Sequence, residues 1–70
     1  MPSNEVLIPR APVARIMFAS GAKRVSEKAV DAFARILERK CLEIAKRASK
    51  LARHAGRKTI TTEDIRLALK

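Results

Sequence analysis

The sequence predicts an all-α protein built as a short helix, a long helix and a second short helix. Gly21 and Gly56 each follow a run of helix-forming residues, where a glycine commonly ends a helix. Between them, residues 27–55 contain neither Gly nor Pro. Their apolar side chains recur every three or four positions, which is the spacing of one face of an α-helix.

Three prolines within the first twelve residues predict an extended arm over residues 1–10, followed by a single domain over residues 11–70. Pro12 suits the first turn of a helix, where its missing N–H is not needed. The first helix is therefore expected to begin at Pro12 and to run to about Ser20.

The long helix is expected to run from Glu27 to about Ala55, with the hydroxyl of Ser26 as its cap. At about 1.5 Å per residue it is roughly 43 Å long. The first helix and a third one over Glu63 to Leu69 are too short to cover its apolar stripe. A second copy of the long helix is the expected cover, so the sequence predicts a dimer. The residues expected in the dimer core are Phe33, Leu37 and Ile44.

The charge balance points to a polyanionic partner. Sixteen Lys and Arg residues stand against seven Asp and Glu, which gives a net charge of +9 and an isoelectric point near 10.9. Nucleic acid is the commonest polyanion inside a cell. The alternatives are a cationic surface that only maintains solubility, and a protein that lies on a membrane surface.

Several functions are disfavoured by what the sequence lacks. Cys41 and His54 are the only Cys and His, too few ligands for a closed zinc site. The sequence shows no acid–base pair, metal-ligand cluster or phosphate-binding glycine loop, so an enzyme is not expected. No cofactor and no small-molecule substrate are therefore expected either. No apolar stretch approaches the roughly 20 residues that span a bilayer. The lone Cys and the absence of a signal-peptide pattern favour an intracellular protein.

The links between the helices are both basic: "AKRV" at residues 22–25 and "RKTI" at residues 57–60. If two long helices cross antiparallel, the first link of one chain lies beside the second link of the other. Val25 and Ile60 can then pair as short parallel strands, and the basic side chains combine as a phosphate clamp. The alternative is that they are ordinary solvated charges. The basic residues concerned are Lys23, Arg24, Arg57 and Lys58.

Three stretches carry a resemblance to a known family. "PVARI" is similar to the start of the first helix of histones, "SGAKRVSEKA" to their first loop, and "LARHAGRKTITTEDIRLALK" to their second loop and third helix. Over Ile8 to Lys70 the chain resembles the histone family, most closely archaeal-type histones. The resemblance implies a histone fold in an intertwined handshake dimer, with short paired loop strands, that wraps duplex DNA.

The resemblance also implies which residues contact DNA. Arg24 matches an arginine inserted into the minor groove, and Thr59 matches a threonine that steadies this arginine from the partner chain. Arg15 and Lys58 match phosphate contacts. The DNA-binding residues predicted in all are Arg15, Lys23, Arg24, Arg57, Lys58 and Thr59.

Further positions match contacts that shape the assembly. Arg57 and Asp64 match an ion pair that braces the second loop against the third helix. Leu51, His54, Asp64 and Leu67 match a four-helix contact between dimers, in which His54 bonds Asp64 of the next dimer. The alternative for His54 is a helix-end side chain that interacts with backbone carbonyls.

The predicted function is an architectural DNA-binding histone that binds duplex DNA with little sequence preference. Its expected partners are a second copy or a related histone, with higher oligomers on DNA, and its expected location is the cytoplasm or nucleoid, on the chromosome. One alternative is a histone-fold subunit of a sequence-specific transcription factor. Another is a helical protein-interaction module whose charge is incidental.

Overall fold

A computed structural model describes residues 7–70, which form three α-helices and, within that range, no strand. Helix α1 spans Arg10–Ala19, α2 spans Glu27–His54 and α3 spans Thr62–Ala68. This confirms the predicted all-α order of short, long and short helices. Of the helices in the described range, none is long and apolar enough to cross a membrane.

Helix α1 begins earlier than the sequence predicted. The arm expected over residues 1–10 lies mostly outside the described residues, but Arg10 is already the first residue of α1. Its N-cap, Pro9, provides no side-chain hydrogen bond. Arg10 instead pairs with Asp31 of α2, Nη2 to Oδ1 at 2.5 Å. That carboxylate offsets the cost of a cation at the positive end of a helix dipole. Pro12 still falls in the first turn, where backbone N–H groups have no intrahelical partner.

Both glycines adopt the left-handed backbone that ends a helix, with φ of 110° at Gly21 and 74° at Gly56. At the end of α2, the Gly56 N–H donates to the Arg53 carbonyl and the Arg57 N–H donates to the Ala52 carbonyl, each at 2.9 Å. These two bonds form a Schellman motif. They turn the chain sharply after α2 and fix where the second loop starts.

The starts of α2 and α3 are capped by side chains, as the sequence predicted. The Ser26 hydroxyl accepts a hydrogen bond from the Ala29 N–H at 3.0 Å. Thr61 and Asp64 form a capping box, in which the Thr61 hydroxyl accepts from the Asp64 N–H and the Asp64 carboxylate accepts from the Thr61 N–H. Each cap satisfies N–H groups that the first helical turn leaves without a partner.

Packing divides the described chain into a first unit, residues 7–39, and a second unit, residues 40–70. The buried apolar residues in both units are small. In the first unit they are Val13, Val30 and Ala34, and in the second they are Ala48, Ala52 and Ala68. Val13 is the largest fully buried side chain in residues 7–70.

Most large apolar side chains of the described chain stay in contact with solvent. The three residues predicted for the dimer core, Phe33, Leu37 and Ile44, are each half-buried. Others are between 37% and 73% exposed. The more exposed ones are Leu7, Ile16, Phe18, Ile36, Leu42, Ile60, Ile65, Leu67 and Leu69.

Candidate nucleic-acid interface

The first loop, residues 20–26, presents two cations to solvent. Lys23 and Arg24 are exposed, and neither has a side-chain hydrogen bond or ion pair to any residue from 7 to 70. Val25 is half-buried and packs against the core of the first unit. The loop is thus anchored by Val25 and leaves the Arg24 side chain available to a ligand.

The second loop, residues 55–61, is held by an ion pair. Two guanidinium nitrogens of Arg57 donate to the two carboxylate oxygens of Asp64, each at 2.9 Å. This parallel geometry is the strong form of an arginine–carboxylate pair. Arg57 Nη1 also donates to the Thr59 carbonyl at 3.0 Å. One side chain therefore ties the middle of the loop to α3.

Asp64 is almost fully buried, with 2% of its surface exposed, yet its carboxylate is well satisfied. Besides Arg57, it accepts from the Thr61 N–H at 2.8 Å and from the Thr61 hydroxyl at 3.0 Å. The hydrogen bonds from Arg57, and then that from the Thr61 N–H, hold the pKa of Asp64 well below its usual range despite burial. The hydrogen bond to Asp64 raises the pKa of Arg57. The pair is therefore charged at every physiological pH.

Arg57 was predicted to join the phosphate clamp of the paired loops and, from the resemblance, to brace the second loop; its contacts within the described chain are those of the brace. Its guanidinium already serves Asp64 and Thr59. Lys58 and Thr59 are exposed, and the Lys58 side chain has no partner within the described chain. Of the two cations in the second loop, Lys58 is consequently the one whose side chain is left without a partner in the described chain.

The remaining predicted residues lie on helices. Arg15 is exposed on α1, again with no side-chain partner among residues 7–70. His54 and Leu67 are exposed and Leu51 is half-buried. Asp64, grouped with them for a contact between dimers, is buried within the second unit.

Sequence reasoning missed three side-chain contacts of the helices. The Asp31 carboxylate accepts hydrogen bonds from the guanidinium groups of Arg10 and Arg35. The Arg35 Nε lies 3.3 Å from Asp31 Oδ2. The Arg10 hydrogen bond, and then that from Arg35, lower the pKa of Asp31. Arg47 Nη1 donates to the Ala68 carbonyl at the end of α3, at 3.1 Å. Of these contacts, only the pair of Asp31 and Arg35 could have been predicted from the sequence, because residues four apart face each other on a helix. Arg10 and Arg47 each contact a partner 21 residues away, which no local pattern indicates.

Comparisons with known proteins agree with this architecture. Residues 6–69 match the model of the family described as histone-like transcription factor (CBF/NF-Y) and archaeal histone. The chain is 51% identical over 63 residues to a Thermococcus zilligii protein named as one of the subunits of archaeal histone HAN1. It is 49% identical over 63 residues to a protein of Methanocaldococcus jannaschii named probable archaeal histone 3. Each match covers 90% of this chain and 94% of the relative.

Proposed function

We infer that this chain, which belongs to the family of histone-like transcription factors and archaeal histones, is an architectural DNA-binding histone and not an enzyme. Both relatives carry the name of an archaeal histone, and nothing favours the transcription-factor alternative. The net charge of +9 suits a partner as negative as duplex DNA. The chain is associated with the chromosome.

The buried apolar residues within residues 7–70 are all small, either Val or Ala. Within residues 7–70 the largest fully buried side chain is Val13, so much of the apolar surface of these residues stays in water. Small domains of this kind are commonly stabilised by association. We therefore propose that residues 11–70 form one dimerising domain, in which a second copy covers Phe33, Leu37 and Ile44. A related histone with the same apolar stripe can take the place of the second copy.

In this dimer the two α2 helices cross antiparallel, as in a handshake. The first loop of one chain then lies beside the second loop of the partner, so that Lys23 and Arg24 meet Lys58 across the interface. Val25 and Ile60 pair as short parallel strands. The backbone N–H groups of residues 22–25 and 58–60 have no hydrogen-bond partner within the described residues, which leaves them available for such pairing or for phosphate.

We propose that the paired loops bind the DNA backbone. Arg24 enters the minor groove, where an arginine responds to groove width and negative potential rather than to base identity. The contact from Arg57 orients the Thr59 carbonyl and, with it, the part of the loop that steadies Arg24 of the partner. Lys58 and Arg15 contact phosphates. These contacts position the duplex without reading its sequence.

Beyond the dimer, we propose a contact between dimers through the end of α2 and α3. The exposed side chains of His54 and Leu67, with the half-buried Leu51, supply its surface. Asp64 is the acceptor for His54 of the next dimer. Its Oδ1 has a single hydrogen bond within the described chain, so one lone pair remains for that contact, although the side chain must become more accessible first.

Sequence independence distinguishes this function from the transcription-factor alternative. Duplexes of equal length and unrelated sequence should compete equally for the protein at fixed salt. Affinity should fall steeply as salt rises, because bound phosphates release counterions. Strong preference for one duplex among many would instead support a site-specific transcription factor.

A further inference from the structure

A second basic surface lies near the end of α2, before the second loop begins. Lys46, Lys50 and Arg53 follow one another at intervals of four and three residues, so they share one face of the helix. All three are exposed, and no ion pair or side-chain hydrogen bond joins them to another described residue. Lys50 and Arg53 also line, with His54, a hollow in the surface of the second unit.

This basic face points away from the side of α2 that is buried. Ala48 is fully buried in the second unit. Lys46 and Lys50 each lie two residues from Ala48, so each is about 160° from Ala48 around the helix axis. Arg53 lies five residues from Ala48, which places it about 140° from Ala48. A partner that covers the apolar side of α2 therefore leaves the basic face in solvent.

The chemistry of the face suits a phosphate backbone better than a folded protein. Glu43, three residues before Lys46, is paired with Lys40 instead, at 3.8 Å. The face itself offers three cations and no aromatic side chain, whereas the cores of protein interfaces are enriched in aromatic residues and depleted in Lys. From Lys46 to Arg53 the helix rises about 10.5 Å. Over that length of its axis, a duplex carries roughly three phosphates on each strand.

The position of the face indicates which duplex it meets. The second loop continues past the end of α2 at His54, whereas Lys46 lies about 12 Å back along the helix. A duplex that lies across the loop is too stiff to bend along the side of the helix over so short a distance. We propose that Lys46, Lys50 and Arg53 bind the phosphate backbone of a second DNA duplex, so that the protein bridges two duplexes. This inference rests on the proposed function, because it takes the loops as the first DNA surface.

A bridging experiment tests the proposal with the full chain. One duplex is fixed to beads and saturated with protein, and retention of a second, labelled duplex is measured. The test variant is Lys46→Gln/Lys50→Gln/Arg53→Gln. The control variant, Lys40→Gln/Arg66→Gln/Lys70→Gln, changes exposed residues elsewhere. Each variant removes three positive charges from the net charge of +9. Gln keeps helix propensity, and circular dichroism verifies folding.

The wild type and the control variant should both retain the second duplex. The test variant should retain about tenfold less of it, while its affinity for a single duplex changes by less than about twofold. Equal retention by the test variant would overturn the proposal, as would a wild type that binds the first duplex and bridges none. Loss of single-duplex affinity in the test variant would overturn it too, by assigning the face to the loop surface. Retention of labelled polyglutamate in place of the second duplex would assign the face to an acidic polypeptide. A wild type that binds no duplex at all would instead remove the proposed function itself.

Discussion

Arg57 and Asp64 are joined by two hydrogen bonds of 2.9 Å between guanidinium and carboxylate. The same Arg57 closes the end of α2 through its backbone N–H and holds the Thr59 carbonyl through its side chain. Asp64 also forms the capping box at the start of α3 with Thr61, the N-cap residue. The end of one helix, the loop and the start of the next are thus fixed by one pair of residues. These bonds hold the loop that carries Lys58 and Thr59, two of the residues proposed to lie at the DNA surface.

The lowered pKa of Asp64 predicts a loss of stability in acid. The unfolded state takes up the proton first, near the ordinary Asp pKa of about 3.9, whereas the folded state resists protonation to lower pH. The stabilisation from this group is therefore complete above about pH 4 and is lost as pH falls further through the lowered pKa. Thermal midpoints of the wild type and of Asp64→Asn should converge below about pH 4. A difference between them that is independent of pH would contradict this assignment.

If the chain forms the proposed dimer, substitution of Phe33 should strongly lower its stability. Phe33 is only half-buried in the single chain. If a second copy completes its burial, Phe33→Ala should lower the free energy of unfolding by about 3–5 kcal/mol. Phe18 provides the matched control, because it is 48% exposed on α1 and is not expected in the dimer core. Chemical denaturation at several protein concentrations measures both variants. Similar small costs for the two, with midpoints that do not depend on concentration, would argue for a stable monomer.

Arg24 is predicted to contribute to affinity without contributing to folding. Its side chain has no partner in residues 7–70, so Arg24→Ala should leave the thermal midpoint nearly unchanged. Binding should weaken by a similar factor for all duplex sequences. The slope of log affinity against log salt should shrink by about 0.9 for one lost phosphate contact. Lys40→Ala, with the same change in charge, controls for the general field of the protein. Equal slopes for the wild type and Arg24→Ala would show that the loop is not the DNA surface.

If dimers associate through the end of α2 and α3, substitutions there should weaken assembly beyond the dimer without changing the contacts of the loops with DNA. His54→Ala and Leu51→Lys should keep dimers and loop contacts, because neither residue lies in a loop, but should shorten the DNA protected from nuclease. Sedimentation in the absence of DNA verifies that each variant is still dimeric. Footprints as long as those of the wild type would remove His54 and Leu51 from this interface.

The helices were largely readable from local sequence signals. Gly56 and the Thr61–Asp64 capping box bounded α2 and α3 to within about one residue, because caps and left-handed glycines depend on neighbours in the chain. The start of α1 was not readable in this way. Pro9 offers no side-chain cap there, and the residue that stabilises Arg10, Asp31, is distant in sequence.

The candidate site also contains features that could be predicted from the sequence and features that depend on how the helices pack. The pairing of Arg57 with Asp64 was expected from family resemblance, but the near-complete burial of Asp64 depends on how α3 packs. The Arg47 contact to Ala68 had no sequence signal, because a long flexible side chain can reach many partners. The basic face of Lys46, Lys50 and Arg53 had a helical spacing that only became informative once Ala48 was seen to be buried.

Nuclease digestion of long duplex DNA saturated with the pure protein tests the central claim most directly. If dimers wrap the duplex through paired loops and associate further, partial digestion should leave a ladder of protected fragments at regular increments. The variant Arg24→Ala/Lys58→Ala should leave no ladder at the same protein concentration. A continuous smear from the wild type, with no preferred fragment length, would contradict wrapping and would show that the protein is a cationic coat on DNA.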